Sequence, residues 1–393
     1  GKHIIKKNSK EKQPSKTKNK NIPFNIMDSN KELIEKINNS FDNKRITLDS
    51  IINKKNIIKK QKNKSEIFNK INKENLSLKD LECLATLGKG SFGEVYLVRK
   101  KNTKECYAMK VLRKEKVKSQ NLIKYVITER NILSLSDHPF IVKLITAFQT
   151  SSKLFLILEY CPEGDLSKHL NFEKRFTEKK AKFYLCEIIL ALENLHKRNI
   201  IFRDLKPDNI VLDEKGHCKL TDFGLSKEGI IDSKSTNSFC GSIAYLAPEI
   251  LNHEGHGNAV DWYLSGVLLY EMLCGITPFF SGDRAKIFYN IQFGELKIPN
   301  FVSDEARDLI KKLMIRNPEK RLGGSIRDAE EIKEHVFFKE VNWDKVYNKE
   351  ITPPKNSGYI KNTNNFFAKP KQFNIENNEI RNDKDMIDGW SFI

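Results

Sequence analysis

Residues 202–249 constrain this chain more than any other stretch. They contain FRDLKPDN, then TDFG, then SFCGSIAYLAPE. The first segment sets Asp204 in a tight loop. The second sets Asp222 near a glycine, and the third is a loop with hydroxyl side chains. Asp204 can accept the proton of an attacking hydroxyl. Asn209 and Asp222 offer oxygen ligands suited to a hard cation such as Mg2+. Lys206, two residues past Asp204, can sit beside a phosphate.

These are the parts that phosphoryl transfer from ATP requires, and the stretch resembles the catalytic and activation loops of eukaryotic protein kinases. The motifs of that family are H-R-D-L-x-x-x-N, D-F-G and A-P-E. Arg203, Asp204, Leu205 and Asn209 match the first, Asp222-Phe223-Gly224 the second and Ala247-Pro248-Glu249 the third. Phe202 stands where the first motif has His, a change of packing and not of chemistry. A lone D-F-G arises often by chance. Three motifs in order at workable spacing weigh against a set of solvated acidic turns.

Residues 81–100 read as two strands around LGKGSFGEV. Gly88, Gly90 and Gly93 let a backbone pass close over phosphates. G-x-G-x-x-G alone also fits dinucleotide binding, but that fingerprint opens a helix. Here Val95, Leu97 and Val98 favour a strand, and a third strand carries Tyr107-Ala108-Met109-Lys110. The resemblance implies ATP beneath Leu87, Gly88, Lys89, Gly90, Ser91, Phe92, Gly93 and Val95 and against Ala108, with Lys110 on its α- and β-phosphates. Residues 119–136 have helical spacing, and Glu129 on that helix is the expected partner of Lys110. Asp137-His138-Pro139 ends the helix. Two apolar strands follow over 141–148 and 154–160. They lead through the gatekeeper position Leu158 to a hinge, Glu159-Tyr160-Cys161, whose backbone would bond adenine.

From Pro162 onward the pattern turns helical, with helices expected over 165–171, 177–197, 258–274, 283–292 and 303–314. Asp261, in V-D-W, is expected to cap the third. Glu249 and Arg321 match a buried ion pair of the family. Leu133, Leu144, Phe202 and Phe223 match its hydrophobic column. The implied fold is α+β and bilobal, with a small β-rich N-lobe over 80–160 and a large helical C-lobe over 161–338.

The tail over 339–393 narrows the resemblance to the protein kinase A/G/C (AGC) group. VNWDKVYNKEITPP is similar to the tail start of the protein kinase B family. Phe366 resembles a tail residue placed by the nucleotide. Ile387 to Phe392 resemble the group's hydrophobic motif, with Trp390 and Phe392 docking beside the Glu129 helix and Ser391 as a phosphosite. Ser238, before Phe239-Cys240-Gly241, is the expected activation-loop phosphosite, pairing with Arg203 and Lys227. Tyr125 replaces the helix His that usually joins that cluster. Thr352 or Thr363 would stand in for a missing turn-motif site. Asp165, Asp208 and Glu271 match acidic pockets for arginines upstream of a target Ser or Thr, while Ala244 lacks a further acid. Phe239, Ile243 and Leu246 would line an apolar pocket for the residue after the target. A pseudokinase scaffold is the alternative, but Lys110, Asp204 and Asp222 are all present.

Charge decides what the rest of the chain does. The net charge is +18, but residues 1–79 carry 21 Lys+Arg against 8 Asp+Glu, leaving +5 elsewhere. The folded part is therefore not expected to bind nucleic acid. Residues 1–22 cannot bury enough apolar surface to order. Residues 24–79 mix lysines with a broken helical apolar period. They read as a linker, a calmodulin-type target or a membrane-surface segment, and no lipid-binding domain is expected before the kinase. Seven scattered cysteines without a C-x-x-C pair argue for reduced intracellular thiols. A cytoplasmic monomer acting on protein substrates, under an upstream activating kinase, is the expectation.

Overall fold

Period-two alternation builds one antiparallel sheet from β1 (Leu81–Lys89), β2 (Gly93–Lys100), β3 (Cys106–Arg113), β4 (Leu144–Gln149) and β5 (Lys153–Glu159), in the order β1-β2-β3-β5-β4. The structure is a computed structural model that describes residues 76–89, 93–224, 226–228, 243–252, 255–355 and 386–391, all within one compact unit, Lys73–Ile393. Successive side chains of a strand point to opposite faces. Met109 and Val111 of β3 therefore join Leu81, Cys83, Val98, Phe155 and Ile157 in a cluster on one face. Ala108 and Leu112 turn to the other face and the main core, and Lys110 goes with them.

Helices α1 (Lys114–Ser119) and α2 (Ile123–Leu135) follow β3. The single helix expected over 119–136 is interrupted, because Asn121 takes a left-handed φ of 54°, a conformation Asn tolerates. The strand expected from 141 begins at Leu144. Ile141 instead makes an isolated parallel bridge to Leu220.

The helical part contains α3 (Leu166–Glu173), α4 (Glu178–His196), α5 (Pro248–Leu251), α6 (Ala259–Cys274), α7 (Arg284–Phe293), α8 (Asp304–Leu313), α9 (Ala329–Lys333) and α10 (Trp343–Tyr347). Several starts were legible as side-chain caps. Thr177 accepts from the Lys180 N–H, Asp283 from Ala285 and Ser303 from Ala306. Helix α6 is buried on nearly every side and packs on α4 and α8, as an all-round apolar helix must. It stops at Gly275, φ 78°, where a Cβ would lie 2.2 Å from the Lys174 carbonyl oxygen.

Asp261 corrects one expectation. Asn258 is the N-cap of α6, and Asp261 caps nothing. Its carboxylate instead accepts from the backbone N–H of Phe202 (2.8 Å) and of Arg203 (2.7 Å). It also meets His196 Nε2 at 2.8 Å.

Short strands frame the loops. β6 (Gly164–Asp165), β8 (Ile210–Leu212) and β9 (Cys218–Leu220) form one small sheet, and β7 (Ile200–Ile201) pairs with β10 (Lys227–Glu228). The sheet and helical parts share one core. Leu133, Leu144, Phe202 and Phe223 all belong to it, and the Phe202 and Phe223 rings meet edge to face at 5.1 Å. Arg321 forks onto Glu249 at 2.6 and 2.9 Å, with both side chains buried.

The tail returns to the first sheet. Trp390 is wholly buried and donates its Nε1–H to the Phe148 carbonyl at 2.9 Å. Gln149 clips Ile387 through both its backbone N–H and its carbonyl, each at 2.9 Å. Trp390 thus docks as expected and Ser391 is exposed, while Phe392 lies outside the described residues. No helix among the described residues is long and apolar enough to cross a membrane.

Candidate active site

Lys110 anchors the site because β3 aims it away from Met109 and toward α2. Its ammonium lies 2.6 Å from Glu129 Oε1 and 3.0 Å from Asp222 Oδ1. Burial by itself would lower the Lys110 pKa, but the charges of Asp222 and Glu129 outweigh it and hold the pKa raised. The same Lys110 charge holds the Asp222 carboxyl below its ordinary value. Lys110 and Glu129 therefore meet as the sequence predicts, and Asp222 joins them from a residue 112 positions away. Asp222 sits at φ 61°, a left-handed conformation that costs a non-glycine residue roughly 1–3 kcal/mol.

Asp204 is buried. Lys206 Nζ lies 3.0 and 2.9 Å from its two oxygens, and Asn209 Nδ2 donates to Oδ2 at 2.7 Å. The Asn209 amide also donates to the Asp204 carbonyl at 2.8 Å, locking the turn. Arg203, just before, takes φ 66° and is buried, with Nη1 3.5 Å from His256 Nε2. The Asp261 carboxylate secures this strained backbone through two amide hydrogens.

The candidate cation site combines one carboxylate, Asp222, with one amide side chain, Asn209. Among the described residues no group of three or more His, Cys, Asp or Glu side chains could hold a metal ion. That arrangement suits Mg2+, which binds through one or two carboxylates together with substrate phosphates. The Asp222 side chain is 53% exposed and meets Lys110 through Oδ1.

The nucleotide-side residues divide. Gly90, Ser91, Phe92 and Phe366 lie outside the described residues. Leu87 is half-exposed and Lys89 is exposed beside Glu94. No neighbouring atom lies within 4 Å of where a Gly88 Cβ would stand. Gly93 has a different reason to be glycine from the one expected, since a Cβ there would fall 1.9 Å from the Val111 carbonyl oxygen of the next strand. Val95 pairs with Lys110 across β2 and β3, and Ala108 with Leu158 across β3 and β5. Cys161 is buried, and that burial pushes its thiol up to about 12.

Of the substrate-side acids, Asp165 serves as the N-cap of α3, accepting from the Lys168 N–H at 3.0 Å. Glu271 on α6 has a buried Oε2 with no hydrogen-bond partner. Burial first, and the nearby charge of Asp208 second, raise its pKa to about 7. Asp208 and Glu271 are thus close enough to feel one another. Leu246 is buried and Ile243 half-buried, while Ser238 and Phe239 lie outside the described residues.

Sequence reasoning missed three supports. One is the Asp261 grip on the loop amides. Another is the His196 ring held between Asp261 and Asp328, the latter at 3.0 Å. The third is the Lys219 ammonium on both oxygens of Glu159, at 2.8 and 2.9 Å. Acids and bases at those positions carry no spacing signal, because each partner comes from a distant segment.

The sequence matches the family profile of the protein kinase domain over residues 81–338. It is 45% identical over 279 residues to RAC-beta serine/threonine-protein kinase A of Xenopus laevis, a match covering 71% of this chain and 57% of that protein. It is 47% identical over 302 residues to Protein kinase 3 of Dictyostelium discoideum, covering 74% and 33%. With Ribosomal protein S6 kinase alpha-1 of Homo sapiens the identity is 50% over 276 residues, covering 70% and 37%. The chain therefore spans between a third and about three-fifths of the length of these relatives. Protein kinase domains use ATP with a divalent cation, which is what the Lys110 cluster and the Asp222 side chain can accommodate. The matched residues are the ones that build the sheet, the helical part and the loops between them, and the chain belongs to the protein kinase family, in the AGC group of the RAC and ribosomal protein kinases.

Proposed function

We propose that the chain is an active serine/threonine protein kinase that transfers the γ-phosphoryl group of ATP to Ser or Thr in Arg-rich protein substrates. One observation supports it above the others. Lys110 is fixed between Glu129 at 2.6 Å and Asp222 at 3.0 Å, which supports the reading of Lys110 as the phosphate lysine and Asp222 as the metal aspartate. A pseudokinase scaffold has no observation in its favour.

Bound Mg-ATP supplies the phosphoryl group and the cation charge that offsets its oxygens. The chain does the rest by placement. Asp204 orients the substrate hydroxyl and takes its proton. Lys206, already beside Asp204, is placed to sit beside the transferred phosphoryl group and meet the charge on its oxygens. Lys110 would hold the α- and β-phosphates, Asp222 and Asn209 would hold Mg2+, and the hinge Glu159-Tyr160-Cys161 would receive adenine. The site works by positioning and electrostatics.

Asp165, Asp208 and Glu271 receive substrate arginines, with one contact weakened because residue 244 is Ala. Phe239, Ile243 and Leu246 receive the residue after the target. Phosphorylation of Ser238, paired with Arg203 and Lys227, and of Ser391 regulates the enzyme through an upstream kinase. The working division is an N-terminal extension over 1–79, a catalytic domain over 80–338 and a tail over 339–393. Residues 24–79 are read as a calmodulin-type target or a peripheral membrane contact of a cytoplasmic monomer. Calcium-dependent capture of that segment is the check, and equal capture in chelator removes the calmodulin reading.

The decisive assay is phosphate incorporation into an Arg-rich peptide by purified protein. Asp204→Ala should lower kcat by about 10²–10⁴-fold, the usual share of a general base. Equal incorporation by both proteins would refute the reading.

A further inference from the structure

The geometry points to Lys219 as a positioning residue for the nucleotide site, one that ties the adenine-binding hinge to the strand delivering Asp222. This rests on the reading of residues 159–161 as that hinge. Glu159, the last residue of β5, closes a two-bond clip on the segment ahead of β4. Its N–H donates to the Lys143 carbonyl at 3.0 Å, and its Oε1 accepts from the Lys143 N–H at 2.7 Å.

Lys219 reaches both oxygens of that carboxylate from β9, at 2.8 and 2.9 Å. Its side chain is only 10% exposed, so the contact is not the screened surface pair that contributes little. The main chain of β9 already joins the same segment. Leu220 N–H donates to the Phe140 carbonyl at 2.9 Å, and Val142 N–H to the Leu220 carbonyl at 3.0 Å.

Residues 140–143, the hinge glutamate and β9 are therefore fastened by main chain along one edge and by a charged side chain along the other. Asp222 follows Lys219 by three residues. The brace fixes the distance between the end of the site that takes adenine and the end that takes the cation. Without Lys219, Glu159 keeps its bond to Lys143 but loses the counter-charge that aims the carboxylate. The hinge backbone and the approach to Asp222 can then shift independently. A merely structural pair would lower stability and leave nucleotide affinity alone.

The test uses Lys219→Met in the full chain, which keeps the apolar stem and removes the charge. Affinity for Mg-ADP by titration calorimetry should weaken about five- to tenfold, the scale of one ordinary hydrogen-bonded contact. KM for ATP should rise with it while kcat stays within about twofold. In the nucleotide-free protein, amide exchange at Lys143 and Glu159 should accelerate while exchange in α6 does not. Lys219→Arg should restore both readouts. Unchanged ADP affinity with unchanged exchange at Lys143 would overturn the assignment. A lowered melting temperature and kcat with ADP affinity intact would do the same. Wild-type protein without ADP affinity would overturn the hinge reading itself, and this assignment with it.

Discussion

At the scale of single residues, Glu271 and His196 both have raised pKa values, and the expected effects of pH run in opposite directions. Glu271 carries a pKa raised to about 7 by burial and by Asp208. On the proposed substrate role, Glu271 would be neutral below that pH and give an arginine no charge, and would be a carboxylate above it. KM for an arginine peptide should therefore fall as pH rises from about 6 to 8, and a citrulline-substituted peptide should give a flat profile. Glu271→Gln should flatten the arginine profile as well. His196 has the reverse sign. Burial alone would lower its pKa, but the hydrogen bonds its ring makes to the carboxylates of Asp261 and Asp328 raise it to about 9. The unfolded value is near 6.5. Its contribution to stability is thus complete below that value and lost as pH climbs through 9. Melting temperature should drop between pH 7 and 10, and His196→Gln should reduce that drop. The sequence told these residues apart unevenly. Lys110, Glu129, Asp204 and Asp222 were legible because their types recur at set spacing around glycine and loop signals. Glu271 was legible only through the family resemblance, and His196 not at all, because its two carboxylates arrive from α6 and from the loop before α9.

At the scale of elements, helix ends were legible to within a residue or two wherever a Ser, Thr or Asp cap announced them. The interruption before α2 was not, because Asn121 looks like one more polar residue in an amphipathic run. Two contacts between elements lend themselves to measurement. The Arg321 guanidinium is buried against Glu249 and also donates to the carbonyls of Ala259, Ile315 and Arg316. Arg321→Met strands the Glu249 charge in the core. It should cost about 3–5 kcal/mol in urea unfolding, the usual penalty for breaking a buried pair. Trp390 fills a closed site against β4, and Trp→Ala in such a place costs about 3–5 kcal/mol. That energy holds a peripheral segment. Trp390→Ala should therefore release residues 386–391, seen as faster amide exchange there, while α4 and α6 keep their protection.

Across the whole molecule, a sheet built on period two and a helical part built on period 3.6 meet along residues 140–143 and β9, and the candidate chemistry lies in the loops beside that seam. The division into a strand-rich and a helix-rich part was readable from periodicity. The fastening between them was not, because single side chains from remote segments accomplish it. The Asp261 grip on the loop containing Asp204 carries a consequence of a different kind. It holds that loop by the main-chain hydrogens of residues 202 and 203 and asks nothing of their side chains. The ring of residue 202 is buried in the main core, edge to face with Phe223. A Phe can occupy a slot where relatives use His without a second change elsewhere, and any flat ring of similar size should be accepted there. The signature that names this family is, at that position, a record of steric fit. A search insisting on the histidine would pass over this chain.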